Sequence, residues 1–196
     1  MLQLSANVTT CLTVAFMFGI AAISSNFVPL FFRQKFIAVC PAIMVESPVI
    51  YFAGLSTVIG TQYLIPTNQI KTYSFSLVLG AVISLILDII LIPRYGLMGA
   101  VITTVIAELL VLLYQSIFVI RQKQLAYQDL YSDLIKYLIS GVIMFILVIA
   151  VKHIFSVNFY NLLLQLIIGI IVYGVSISVL QTKAFKLFCD LIKHNF

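Results

Sequence analysis

Apolar side chains run along the chain in six long stretches, at approximately 9–31, 36–60, 73–92, 97–120, 134–152 and 160–181. Each stretch is continuous rather than alternating, and each approaches or exceeds the roughly 20 residues that carry a helix across hydrocarbon. A membrane barrel needs strict alternation, which these stretches lack. The pattern predicts an all-α, polytopic membrane protein with six transmembrane helices over residues 1–181 and a short basic tail over 182–196. The connections are short, and no extramembrane domain is expected. The polar break ILIPRYGLMGA at 90–100 predicts a tight hairpin. Pro93 should end the third span, with Arg94 and Tyr95 at the interface and Gly96 in the reversal. Gly99 and Ala100 should let the fourth span lie close to its neighbour.

Composition agrees with lipid as the main solvent. The 196 residues are 63% hydrophobic and 9% charged, with a mean hydropathy of +1.19. Soluble domains are about 45–50% apolar and about 25% charged. The opening MLQLSANVTT has no positively charged start and resembles no secretory leader. Cys11, Cys40 and Cys189 are scattered and odd in number, which suggests neither a disulfide framework nor a zinc site.

Charge predicts orientation. Lys71, Arg121, Lys123, Lys136, Lys183, Lys186 and Lys193 fall on one side, and Arg33, Lys35, Arg94 and Lys152 on the other. The positive-inside rule then puts both termini in the cytoplasm. The tail alternates Lys with Phe and Leu and is expected to lie on anionic lipid. The net charge of +5 needs no nucleic-acid partner to explain it.

Three carboxylates fall inside spans: Glu46, Asp88 and Glu108. At the bilayer centre each costs roughly 2.5–3.5 kcal/mol on insertion scales, so each should face a bundle interior or a wet cavity. Glu46 lies near mid-depth between Pro41 and Pro48, the candidate helix breaks, and Pro48 should free the carbonyl of Met44. Glu46 then either lines a cavity as a proton or substrate contact, or bonds that carbonyl to help helices pack. Ser76, Gly80, Ser84 and Asp88 form a small, polar stripe on the third span. Ala100, Thr104 and Glu108 do so on the fourth, with Gln115 two turns further along. Such stripes are either helix contacts or a cavity wall, and Asp88 could alternatively reach the outer interface. The fifth span has a purely apolar centre and reads as lipid-facing. The sixth offers Gln165, Gly169, Tyr173 and Ser176 along one side.

Catalytic patterns are not found. The two histidines, His153 and His194, lie far apart, and no nucleophile grouping, metal spacing or nucleotide loop is present. No enzyme activity, metal or cofactor is expected.

The segments AAISSNFVPLFFRQKF and GLSTVIGTQYLIPTNQIKTYSFSLVLGAVISLILDIILIPRYGLMGAVITTVIAEL add a further reading. Over about residues 15–120 they resemble the lipid-linked oligosaccharide flippases. These are the polysaccharide-transporter branch of the multidrug/oligosaccharidyl-lipid/polysaccharide exporter superfamily. Members are usually about twice this length, with two lobes around a central cavity, and this chain looks like the C-terminal lobe. The family commonly has Gly where Arg33 stands and Asn where Asp88 stands. The resemblance implies a protein of the bacterial cell membrane that carries lipid-linked oligosaccharide outward by alternating access, for capsule, O-antigen or exopolysaccharide assembly. It also implies a missing N-terminal lobe or a second copy as partner. No Lys or Arg lies deep in any span, so cations for the lipid diphosphate are expected from that other lobe. The alternative is a non-transporting membrane scaffold for polysaccharide enzymes. A membrane glycosyltransferase fits less well, because no Asp-rich or Arg-rich outer loop is present.

Overall fold

The computed structural model describes residues 2–32, 36–122, 133–154 and 159–185. Arg33, Lys35, Lys123, Cys189 and the tail beyond Phe185 therefore lie outside the described residues. The helices are α1 (Leu2–Phe32), α2 (Val39–Glu46), α3 (Pro48–Ile59), α4 (Ile70–Tyr95), α5 (Leu97–Arg121), α6 (Leu134–Ile154) and α7 (Phe159–Val179). With α2 and α3 taken as one span, six helical spans among the described residues are long and apolar enough to cross a membrane. The chain is an all-α, six-span membrane protein.

Two spans differ in detail from expectation. The first begins at Leu2 rather than near residue 9. Within its polar opening Asn7 Nδ2 donates to the Gln3 carbonyl at 2.8 Å, and Asn7 and Thr10 are buried. The third span passes through Pro93 and ends at Tyr95. Pro93 forfeits its N–H bond and crowds the Ile89 carbonyl, but with only two helical residues after it the helix still runs on to Tyr95. Gly96 stops it, with φ 55° and ψ −129°, a conformation open essentially to glycine alone.

The chain divides into two compact units. The first comprises Met1–Thr10 with Pro48–Ser132. In it, α3 widens into a π-helical turn over Gly60–Leu64, closed by the Ile65 N–H on the Gly60 carbonyl at 2.9 Å. The Tyr73 ring packs against Gly60 so closely that a Cβ there would lie 2.3 Å from it. Asn68 at φ 61° then reverses the chain into α4, and the Gln69 N–H closes the hairpin on the Leu64 carbonyl at 2.7 Å. Helices α4 and α5 pack side by side, and α3 packs on α5.

The second unit comprises Cys11–Ser47 with Asp133–Phe196. Here α6 packs against α7. The sixth span buries Leu162, Gln165, Gly169 and Tyr173, the side anticipated from the sequence. The fifth span is not simply lipid-facing. Tyr137, Ser140, Gly141, Met144 and Val148 are buried along one face, while Ile139, Val142, Ile146 and Leu147 are exposed on the other. Gly141 receives the ring of Phe18, and Met144 lies against Gly19 and Gly169. Tyr173 Oη donates to the Cys11 carbonyl at 2.7 Å and so ties α7 to α1.

Candidate functional site

The intramembrane polar groups in the first unit fall into two sets, one sealed between helices and one open. The sealed set follows the α4–α5 seam. Ser76 and Gly80 are buried on α4, and on α5 the buried positions include Gly99, Thr103, Ala107, Val111 and Gln115. The two rows run antiparallel in register. At one end a Cβ on Gly99 would stand 2.5 Å from the Leu91 carbonyl oxygen, so only glycine permits that approach. Next, Thr103 Oγ1 donates to the Asp88 carboxylate, which Ser84 Oγ also approaches at 3.5 Å. Further along, Val111 fills the notch at Gly80, where an added Cβ would meet it at 2.4 Å. At the far end Gln115 Nε2 donates to Ser76 Oγ at 2.9 Å, and Ser76 donates to the Tyr73 carbonyl at 2.6 Å. Gln115 Oε1 is buried without a hydrogen-bond partner.

The expected stripe on α4 is thus the contact stripe. On α5 the contact row is displaced by one residue. Ala100, Thr104 and Glu108 stand about 100° around the helix from it, given 3.6 residues per turn, and all three are half-buried. Thr104 Oγ1 spends its proton on the Ala100 carbonyl at 3.0 Å. Among the described residues no hydrogen bond or ion pair engages the Glu108 carboxylate. Asp88 is bound across the seam. Thr103 was not anticipated, although Gly99, Thr103 and Ala107 repeat at a four-residue spacing that could have exposed it.

In the second unit Glu46 is the last residue of α2 and is exposed. Helix α2 stops there and α3 starts at Pro48, so the break falls where that proline predicts it. The carbonyl that Pro48 leaves free, Met44, accepts from Ser47 Oγ at 2.9 Å. Ser47, not Glu46, meets it. Pro41 breaks nothing. It stands in the first turn of α2, where N–H groups have no partner within the helix in any case. No grouping of three or more His, Cys, Asp or Glu residues is found among the described residues.

The fold defines a class. The chain is similar to a solved structure of the lipid II flippase MurJ in its inward closed conformation. The TM-score is 0.76 and the identity 23%, and the match takes in 96% of this chain but 39% of that one. It is also similar to an uncharacterized membrane protein of Methanocaldococcus jannaschii, with 30% identity over 147 residues. That match takes in 74% of this chain and spans 28% of the relative's length. No protein-family model matches the chain. The chain therefore has the fold of the matched part of that solved structure. Six long apolar helices together with this fold support a multi-pass location in the plasma membrane.

Proposed function

We propose that the chain is one lobe of a membrane exporter that moves lipid-linked oligosaccharide from the inner to the outer leaflet for polysaccharide assembly. The observation that carries this reading is the likeness of nearly the whole chain, 96%, to well under half, 39%, of a flippase. Transport by alternating access needs two bodies that move against each other around a shared site. The partner is then a second lobe, either an N-terminal one or another copy. Both termini and the basic tail face the cytoplasm, where Lys71, Arg121 and Lys136 also gather. The chain acts without catalysing a reaction.

Within this reading, Glu108 in the first unit, with Thr104 one turn away, and separately Glu46 in the second unit are the groups that meet water and touch the sugar or exchange protons. The exposure of Glu46 and the half-burial of Glu108 support that role. Asp88 and Gln115, engaged across the α4–α5 seam, fix the shape of the wall. The diphosphate is held by cations of the other lobe.

The test is export of polysaccharide by the complete system carrying Glu46→Gln and Glu108→Gln together. Lost export with normal membrane levels is the expected result. Unchanged export with lost co-purification of the assembly enzymes would overturn transport in favour of a scaffold.

A further inference from the structure

Asp133, at the foot of α6, is only 4% exposed. Its Oδ2 accepts from the Lys183 N–H at 2.7 Å, and its Oδ1 pairs with Lys136 Nζ at 3.0 Å. The next amide, that of Ala184, donates to Tyr137 Oη at 3.3 Å. The one after it, Phe185, donates to Thr182 Oγ1 at 3.4 Å. Tyr137 and Thr182 are both fully buried. Residues 183–185 have helical backbone, and the first amides of a helical turn have no partner within it. Here three successive amides are met, two of them by α6. Thr182 acts as a cap from the adjoining chain, whereas Asp133 reaches the turn from 50 residues earlier in the sequence.

We infer that the foot of α6 is a clasp that fixes the helical turn at Lys183–Phe185, with Asp133 as the residue that closes it. This conclusion concerns the second unit alone and holds whatever the chain transports. The clasp is built around a charge. Burial by itself pushes the Asp133 carboxyl up, but the Lys183 N–H and the Lys136 ammonium outweigh it and hold the carboxyl below the usual carboxylate range. Among the titratable groups that face it, Lys136, Lys183 and Tyr137, Asp133 is the one whose residue type titrates in the acid range. A carboxyl depressed on folding contributes fully above its unfolded value and loses that contribution as pH falls through the folded one. The clasp is therefore shut at neutral pH and opens only below about pH 4.

Amide hydrogen exchange of the full chain in lipid nanodiscs tests this. In Asp133→Asn the amides of 183–185 should exchange about tenfold to a hundredfold faster, as expected for loss of a charge-assisted hydrogen bond. The amides of α7 should keep their protection. Lys136→Gln removes the neighbouring cation but leaves the acceptor, so its clasp should open at a higher pH than that of the parent. Exchange at 183–185 within about twofold of the parent in Asp133→Asn would overturn the clasp. So would an acid response that Lys136→Gln leaves in place, which also covers the case of an asparagine variant that does not fold.

Discussion

The α4–α5 pair and the α6–α7 pair solve one problem in different ways. Each must join two helices where apolar contact with a neighbour is no better than contact with lipid. The first pair uses small residues and hydrogen bonds along its length: Ser76 with Gln115, Gly80 with Val111, and Asp88 with Thr103. The second relies on shape. Met144 lies against Gly169, and both helices are also tied to α1, by Phe18 in the notch at Gly141 and by Tyr173 on the Cys11 carbonyl. Its polar groups at the tail end are gathered into the Asp133 clasp. A polar seam fixes register, because each hydrogen bond pairs two named positions. A shape-filled seam tolerates sliding until a glycine notch is reached.

Substitutions that fill or empty these seams break or sharpen the contrast. The largest effect is expected for Gly99→Ala. Its new methyl would stand 2.5 Å from a backbone oxygen, which cannot rotate away. A loss of about 2–3 kcal/mol in unfolding measured in detergent is expected, at the upper end of overpacking costs. Gly80→Ala should cost less, about 1–2 kcal/mol, because it meets a side chain, Val111, that can shift. Thr103→Val removes the donor to Asp88 and should cost about 0.6–1.7 kcal/mol, the range of hydrogen bonds between membrane helices. Tyr173→Phe should cost about 0.6 kcal/mol by the same comparison. Gly169→Ala should have the smallest effect, since its Cβ would meet Val148 at an ordinary 3.5 Å. A polar seam that lost nothing on Thr103→Val, or a shape-filled one that failed on Gly169→Ala, would erase the distinction.

The six spans were legible because length and hydropathy alone determine them. The break before Pro48 and the contact face of α4 were legible too, since proline chemistry and a four-residue polar repeat leave little choice. The contact face of α5 was not. Gly99 and Ala100 are both small, and so are Thr103 and Thr104 to a hydropathy scale. The backbone decides between them, through the Gly96 reversal and the approach of the Leu91 carbonyl to Gly99. The buried face of α6 was hidden for the opposite reason, because its centre is apolar on every side. Asp133 was overlooked as a boundary residue, although an acid just before the first residue of a helix is a familiar start signal. Its partner lies in the tail, and sequence spacing could not supply that.

The account turns on one claim, that this lobe works in the transport of lipid-linked oligosaccharide. The most direct measurement is translocation of a fluorescent lipid-linked oligosaccharide in proteoliposomes. It would use the membrane complex purified through this chain and, separately, the 196-residue chain alone. The account predicts rapid access of the labelled lipid to the opposite leaflet with the complex, slowed by Glu108→Gln, and none with the lone chain. A complex that moves the lipid no faster than empty vesicles would contradict it.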